Sequence, residues 1–508
     1  MRFSARNRSM ARISVTTLLL AAAVPAHAGF WEDVESQSGL DHAMIQTPMN
    51  NTAAVSAHNA YTEAHLAASL NLSGTLTKLS DAIDAGADLL ELDLVYDGND
   101  QMVKVSHNPG TLHGNKAVLD DVLSDAKLQG ASQPLFLELK ETSLMPDYVV
   151  GIIESLRNRG YLTEGRPVFL RSFASGRANL VYAQQYLANN YPNLAPYVHY
   201  SELYSSTSDL GGLQSQVASA RADGFDMVEF NYQTPNLGAH IQYAKSLDLG
   251  VGLWTIPSSM GEVGLTLFRD EVDEMTTDYD LASARQVVAD SNQLLYFNTA
   301  DQDSGASSLS YYRTGAIAYS VSADGATAPS LSEAGSGSPF FGTVALFDNS
   351  EEDHLSFYDA DQGSGNGYLV NALVQFNDLS VPDGATWAIV NKSDSAGFAL
   401  ELYNPSGIPG PVLRYGVHVD GAYRYVTYDA SALSEGNSYY VTGAYDGNGG
   451  VRLYINSAQI SAGSSFNTEV TRNNSPVVLA ADPQGASDTR FHSNINVQML
   501  SIQDWANH

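Results

Sequence analysis

Between about residues 45 and 290 the chain alternates short strand patterns with helical ones, and this alternation constrains its fold more than any other feature. Strand patterns such as Leu89–Tyr96, Met102–Ser106 and Leu135–Leu139 occur among stretches with apolar residues three and four positions apart, as in Pro146–Arg159. Strand–helix alternation of this kind predicts a parallel sheet. About 260 residues of it is the usual size of a (β/α)₈ barrel. The sequence therefore predicts an α/β fold with a TIM barrel over residues 29–290.

The helical period disappears after about residue 291, and Gly, Ser, Asn and Asp become frequent. Residues 291–340 include a Ser/Gly/Ala-rich stretch that reads either as a linker or as extra strands. Residues 341–508 show regular short strands with turn residues between them, which is typical of an all-β sandwich or jelly roll.

Residues 1–28 have the pattern of a bacterial secretory signal peptide. Four arginines precede the apolar run Ile13–Val24, and Ala26-His27-Ala28 fits a small-residue cleavage site. The run is too short to span a bilayer, and no later run reaches the ~20 apolar residues that a membrane helix needs. We expect a secreted or periplasmic protein with no transmembrane segment.

Charge and cysteine content exclude several classes of function. The chain has 25 Lys and Arg against 56 Asp and Glu, a formal net charge of −31. A surface this acidic repels phosphate backbones, which argues against nucleic-acid binding. Cysteine is absent, so disulfides, thiolate nucleophiles and cysteine-ligated zinc are excluded. Any metal site must use oxygen or imidazole ligands.

Carboxylates and a lysine are spaced to point into the predicted barrel. Glu91 and Asp93 are two positions apart on one strand pattern, so they project to the same side. Glu138 and Lys140 repeat this spacing on a later one. Neighbouring carboxylates in a low-dielectric space are tolerated when a positive group lies between them. Oxygen ligands of this kind suit Ca²⁺ or Mg²⁺.

Two histidines follow strand patterns in the same region. His58 is followed by Asn59, and His107 comes after Val103-Lys104-Val105-Ser106. Histidines can exchange protons as a general acid and base near neutral pH. Each taken alone is more often a structural residue. Together with carboxylates for a metal ion and a lysine for a phosphate, the pair favours phosphodiester cleavage over glycoside hydrolysis, which needs only two carboxylates.

The order of these residues resembles the glycerophosphodiester phosphodiesterase family. The matching segments are Ala82 to Asp93, His107-Asn108, Leu137-Glu138-Leu139-Lys140, Ser172-Phe173, Trp254-Thr255 and Val272 to Tyr279. The resemblance implies a metal-dependent phosphodiesterase barrel. By motif match it implies that a divalent metal is held by Glu91, Asp93 and Glu138. It implies further that His58 and His107 form the acid–base pair, that Lys140 contacts phosphate and that Trp254 lies against the substrate.

The first motif departs from that family, which usually has His-Arg-Gly there. Ser56-Ala57-His58-Asn59-Ala60-Tyr61 is instead similar to the first motif of calcium-dependent, phosphoinositide-type phospholipases C. This second resemblance implies that Asn59 is a further ligand and that Ca²⁺ is the ion, with Mg²⁺ as the alternative. The substrate is accordingly a glycerophosphodiester or a phospholipid-derived phosphodiester. Sphingomyelinase D-like enzymes are a third, weaker resemblance.

The second half resembles concanavalin A-like, laminin-G-type sandwiches over about residues 341–506. The relevant segments include Tyr439 to Gly447 and Val451 to Asn456. Such domains often bind carbohydrate or a surface ligand, although a stabilising role is equally compatible with the fold. A rival hypothesis from another class is therefore a secreted glycan-binding or adhesion protein whose barrel is inactive.

Overall fold

The computed structural model of the protein describes most of the chain from residue 30 onward. The ranges described are 30–40, 53–62, 70–109, 114–207, 209–269, 271–289, 293–300, 302–313, 317–323, 326–335, 338–357, 367–393, 395–407, 409–456, 458–465, 468–484 and 488–505. The expected signal segment 1–28 lies outside these residues. Within them, no helix is long and apolar enough to cross a membrane.

Eight parallel strands close into a barrel in the first half of the chain, which confirms the predicted fold class. They pair in the order β1-β9-β8-β7-β6-β5-β4-β2, and β2 pairs back onto β1. The strands are β1 (Ala54–Ala57), β2 (Leu89–Asp97), β4 (Leu135–Leu139), β5 (Val168–Phe173), β6 (Val198–Tyr204), β7 (Met227–Asn231), β8 (Gly250–Ile256) and β9 (Glu274–Thr277). The helices are α1 (Phe30–Ser38), α2 (Leu72–Asp84), α3 (Leu119–Leu123), α4 (Ala126–Gly130), α5 (Pro146–Asn158), α6 (Arg177–Asn190), α7 (Leu210–Ala222), α8 (Leu237–Ser246), α9 (Gly261–Phe268) and α10 (Leu281–Ala289).

One strand that was predicted to run parallel with the others does not. The stretch Met102–Ser106 forms β3 (Met102–Val105), which pairs antiparallel with the end of β2 and lies outside the ring. The eighth barrel strand is β9, whose Glu-Met-Thr-Thr sequence has no apolar run for strand prediction to detect. It is buried all the same because it sits between β1 and β8.

Helix α1 covers the amino-terminal end of the barrel. The Trp31 indole donates a hydrogen bond to the Asp273 carbonyl at 2.8 Å, and its ring lies edge-on to Phe169 with centroids 5.9 Å apart. These residues pack with Leu89, Phe136 and Met227 from the beginnings of the strands. The carboxyl ends of the strands, where barrel enzymes carry their chemistry, are at the opposite end.

Two antiparallel sheets form the second half, as predicted. One runs β12-β11-β10-β27-β16-β21-β22-β23, with β14 joined to β27 and β13 to β14, and the other runs β15-β24-β17-β18-β19-β20. Apolar side chains from both sheets share one core. The strands are β10 (Gln293–Asn298), β11 (Ser308–Arg313), β12 (Ile317–Ser322), β13 (Ser330–Glu333), β14 (Thr343–Phe347), β15 (Leu355–Phe357), β16 (Tyr368–Phe376), β17 (Thr386–Asn391), β18 (Phe398–Tyr403), β19 (Val412–Val419), β20 (Ala422–Asp429), β21 (Ser438–Tyr445), β22 (Arg452–Ile455), β23 (Ala458–Ala462), β24 (Val477–Leu479), β25 (Asp482–Gln484), β26 (Asp488–Arg490) and β27 (Ile495–Asp504).

The barrel and the sandwich share buried apolar contacts. Leu373 of β16 packs so closely on Gly238 of α8 that a Cβ there would lie 2.4 Å from its Cδ2. Phe268 of α9 meets Tyr440 of β21 with ring centroids 5.4 Å apart. One continuous cluster of buried side chains includes these sandwich residues together with the barrel core. The two halves are therefore packed together rather than tethered.

Candidate active site

The turn after β1 brings His58 and Asn59 to the carboxyl end of the barrel. Asn59 has φ 49°, in the left-handed region that asparagine tolerates better than most residues. This conformation points its backbone N–H at Glu91, where it donates to Oε2 at 2.6 Å. The side-chain Oδ1 of Asn59 is buried and has no hydrogen-bond partner in the described part of the chain.

Three buried carboxylates meet beside this turn. Glu91 and Asp93 project from β2, and Glu138 projects from the register position next to Asp93 on β4. One oxygen from each lies within 4.8 Å of the others. Burial raises the pKa of Glu138, and the charge of Asp93 raises it further. A cluster of this kind requires nearby positive charge because buried carboxylates cost several kcal/mol when uncompensated.

Two basic side chains supply part of that charge. The Lys140 ammonium lies 2.6 Å from Glu138 Oε1 and 3.6 Å from Asp93 Oδ1. Arg171 of β5 also points into the barrel, with Nη2 2.6 Å from Glu91 Oε1. Sequence reasoning missed Arg171. Its signal was a single basic residue in the otherwise apolar run Val168-Phe169-Leu170-Arg171, which could not show that the side chain points inward.

His58 is bound to a carboxylate from the last barrel strand end. Its Nδ1 lies 2.5 Å from Oδ1 of Asp278, which directly follows β9. Burial alone would lower the pKa of His58, but the charge of Glu91 and the hydrogen bond to Asp278 raise it above the usual value. Asp278 lies in one of the segments that resemble the phosphodiesterase family, but no role was predicted for it from the sequence.

His107 is bound to one of the clustered carboxylates. The antiparallel return of β3 places it beside β2, where its Nδ1 lies 2.6 Å from Asp93 Oδ2. The Tyr61 hydroxyl donates to the same oxygen at 2.8 Å. Burial alone would raise the pKa of Asp93, but His107 and Lys140 hold it below its usual range.

Trp254 lies at the end of β8 as part of an aromatic wall. Its ring meets Phe173 of β5 edge-on, with centroids 5.3 Å apart. The Lys140 ammonium is 5.9 Å from the centroid of the Phe173 ring. An apolar surface thus borders the positive charge that faces the carboxylate cluster.

The candidate residues named by the sequence therefore gather at one end of the barrel. The contacts above, with the 3.1 Å approach of Asn59 Nδ2 to His58 Nε2, connect the set, and Trp254 borders it through Phe173; its members are His58, Asn59, Glu91, Asp93, His107, Glu138 and Lys140. The donor set fits a divalent cation. The three clustered carboxylates supply hard oxygen ligands, and Oδ1 of both Asp93 and Asn59 makes no hydrogen bond within the described residues.

Comparisons with known proteins found one family model and several solved structures that are similar to parts of this chain. Residues 349–497 match the family model described as the concanavalin A-like lectin/glucanases superfamily. A glycerophosphodiester phosphodiesterase from Parabacteroides distasonis is 18% identical, with 47% of this chain and 96% of that chain covered and a TM-score of 0.33. A second, from Agrobacterium tumefaciens, is also 18% identical, with 46% and 99% covered and a TM-score of 0.32.

A further solved structure is similar to this chain over a comparable length. Domain 4 of an extracellular arabinanase from Geobacillus stearothermophilus, in complex with arabinotriose, is 16% identical, with 42% of this chain and 93% of that chain covered and a TM-score of 0.28. No curated protein matches the sequence. Similarity at these identities does not identify a reaction, because one fold can carry many different chemistries.

Proposed function

We propose that this chain is a metal-dependent phosphodiesterase that cleaves a P–O bond by general acid–base catalysis. One observation carries the proposal. Two histidines, each held through Nδ1 by its own carboxylate, adjoin the same buried carboxylate cluster and its lysine. A carboxylate at Nδ1 fixes each ring and leaves Nε2 as the nitrogen that exchanges a proton with substrate, which in His58 requires displacing the Asn59 amide that lies 3.1 Å from Nε2.

The carboxylate cluster is the proposed metal site. Glu91, Asp93 and Glu138 would hold the ion, with Asn59 Oδ1 as a further ligand. A divalent cation bound there supplies Lewis-acid neutralisation of a non-bridging phosphate oxygen. Lys140 adds a second positive charge close to the same position, because its ammonium already faces Asp93 and Glu138.

His58 and His107 then divide the proton transfers. One takes the proton of the attacking hydroxyl, which belongs to water or to a neighbouring group of the substrate. The other gives a proton to the oxygen of the departing alcohol, so that the alcohol leaves uncharged. The raised pKa of His58 suits it to carry a proton near neutral pH. The Trp254–Phe173 wall offers an apolar surface for the alcohol portion.

The substrate class follows from the first motif and the charge. The proposed substrates are glycerophosphodiesters or phospholipid-derived phosphodiesters. Asn59 Oδ1, which has no hydrogen-bond partner among the described residues, favours a calcium-dependent, phospholipase C-like enzyme acting on phosphoinositide-type lipids. The net charge of −31 opposes adsorption to anionic lipid and favours soluble or dispersed diesters. With the expected signal segment 1–28, the enzyme would act outside the cytoplasm.

The experiment uses the purified chain with glycerophosphocholine, phosphatidylinositol and a bis-aryl phosphodiester, each with Ca²⁺, Mg²⁺ or EDTA. The proposal requires turnover of at least one diester with a divalent ion and its loss in EDTA. His354→Ala, a histidine of the sandwich, is the control and should retain the rate. If no diester is cleaved under any condition, the barrel is inactive and the sandwich's proposed carbohydrate ligand becomes the leading question.

A further inference from the structure

Arg171 is a buried cation with several acidic partners inside the barrel. Its side chain is 2% exposed. Nη2 contacts Glu91 Oε1 at 2.6 Å and Glu138 Oε2 at 3.4 Å. Nη1 donates to Glu229 Oε2 of β7 at 2.8 Å. The guanidinium therefore contacts two of the three clustered carboxylates through one nitrogen and a further buried carboxylate through the other.

Glu229, the acidic partner of Nη1, is itself held in place. Glu229 Oε1 accepts a hydrogen bond from the Ser201 hydroxyl at 2.7 Å. The Arg171 guanidinium carbon lies 4.6 Å from the centroid of the Phe136 ring. With one arm anchored and one face packed, the planar fork has little freedom to turn. The position of Nη2 between Glu91 and Glu138 is thus set by the barrel interior rather than by those two carboxylates.

Charge alone does not account for this arrangement. Lysine would supply the same positive charge, but as a point charge on a flexible stem, without two nitrogens that bind Glu229 and the Glu91–Glu138 pair separately. A forked guanidinium binds carboxylates in a defined direction. Glu91 Oε2 is occupied by the Asn59 N–H, and Glu138 Oε1 by Lys140. Both oxygens of each carboxylate therefore have a partner, and Arg171 is the partner that Glu91 and Glu138 have in common.

We propose that Arg171 is a positioning residue that sets the spacing of Glu91 and Glu138, so that the affinity of the site for a divalent ion depends on the guanidinium fork. This proposal rests on the metal site of the proposed function. Partners that orient metal ligands typically contribute about 10- to 100-fold to metal affinity. Exchange for a lysine keeps the charge and removes the fork, which separates positioning from electrostatics.

The test compares Arg171→Lys with Arg269→Lys in the full chain. Arg269 is also 2% exposed, but its guanidinium donates to the Val287 carbonyl, away from the carboxylate cluster. Ca²⁺ and Mg²⁺ affinities of the chelator-treated, substrate-free protein are measured by titration calorimetry, and folding is checked by thermal unfolding. We expect Ca²⁺ affinity to fall about 10- to 100-fold in the folded Arg171→Lys variant. We also expect a changed Ca²⁺/Mg²⁺ affinity ratio and no change in the control.

The outcomes separate this inference from the proposed function. Unchanged affinities in folded Arg171→Lys, with the unaltered chain binding Ca²⁺, overturn the positioning role and leave the phosphodiesterase proposal standing. If the unaltered chain binds neither ion, the metal site itself fails and the inference fails with it. Should Arg171→Lys not fold, Glu229→Gln is measured instead, because it removes the charge that anchors the far arm. Several-fold weaker Ca²⁺ binding then supports the proposal, and unchanged binding overturns it.

Discussion

His107 and Asp93 are joined by a 2.6 Å contact between Nδ1 and Oδ2, because β3 runs antiparallel to β2 and ends two residues before His107, which brings the histidine back beside Asp93. The same oxygen accepts the Tyr61 hydroxyl. Oδ2 is therefore occupied by two donors, whereas Oδ1 makes no hydrogen bond to any residue that the structure describes and faces the Lys140 ammonium at 3.6 Å. The two oxygens of one carboxylate thus have separate surroundings. One orients a histidine, and the other is left for a cation.

Tyr61→Phe is predicted to weaken both metal binding and catalysis while leaving the fold intact. The ring stays in its buried site, and Asp93 loses one of the two donors that hold Oδ2. A hydrogen bond to a charged group contributes about 1.5–3 kcal/mol. We therefore expect Ca²⁺ affinity and kcat each to fall by roughly 10-fold or more, measured by calorimetry and initial rates.

Tyr148→Phe is the matched control for that prediction. Tyr148 is equally buried, but its hydroxyl donates to the backbone carbonyl of Leu94 rather than to a clustered carboxylate. This variant should lose stability without losing Ca²⁺ affinity. Equal losses of Ca²⁺ affinity in the two variants would mean that Tyr61 acts only through general packing.

Removal of either proposed catalytic histidine is predicted to lower kcat far more than it changes metal binding. General acid–base groups typically contribute about 10²- to 10⁴-fold to the rate. We therefore expect kcat to decrease by a factor in that range in His58→Ala and in His107→Ala. Asp278→Asn removes the carboxylate charge that helps raise the pKa of His58. In a plot of rate against pH, the part of the curve that depends on protonated His58 should therefore shift to lower pH in this variant. Wild-type rates in either alanine variant would contradict the site assignment.

The shared core predicts that the barrel and the sandwich unfold together. Leu373→Ala opens a cavity beside Gly238 of α8, and changes of this type cost about 2–5 kcal/mol. Scanning calorimetry should show one transition at a lower temperature. Met102→Ala, at a position 47% exposed, should leave the transition in place. Two transitions, with only the sandwich's lowered, would show that the halves are independent.

His240 predicts a loss of stability in acid. It is fully buried in α8, and burial lowers its pKa from 6.5 to about 4. The folded protein therefore keeps the ring neutral where the unfolded chain protonates it. Its contribution to the free energy of unfolding is complete above the unfolded pKa and is lost as pH falls toward the folded value. The shift corresponds to about 3 kcal/mol.

Urea unfolding at several pH values measures this effect. His240→Leu should be less sensitive to acid than the unaltered chain by about 3 kcal/mol between neutral pH and about pH 4. Met102→Ala, at an exposed position, should follow the unaltered chain. Identical acid sensitivity in His240→Leu would show that His240 is not the responsible group.

Much of the fold was readable because apolar periods are local. Predicted Pro146–Arg159 corresponds to α5 at Pro146–Asn158, and predicted Leu135–Leu139 is β4. Strand β9 was missed because burial came from its neighbours and not from its own composition. Strand β3 was predicted as a parallel member of the ring but pairs antiparallel at the end of β2, because the direction of a strand cannot be predicted from a short apolar run.

The sequence by itself determined which residues are available for chemistry. The two-residue spacing of Glu91 and Asp93, and of Glu138 and Lys140, requires that each pair share one face of a strand, whatever the rest of the chain does. Absence of cysteine restricted any metal site to oxygen and imidazole. These conclusions hold locally because strand geometry repeats every two residues.

Only the tertiary structure decided how those residues are paired. His58 and Asp278 are 220 positions apart, and Arg171 and Glu91 are 80 apart. Closing the barrel brings β9 beside β1, and inward-pointing side chains from separate strands then meet across the interior. No local pattern encodes such distances, because they depend on the register of every strand between. The partner of each histidine and the inward direction of Arg171 followed from that closure.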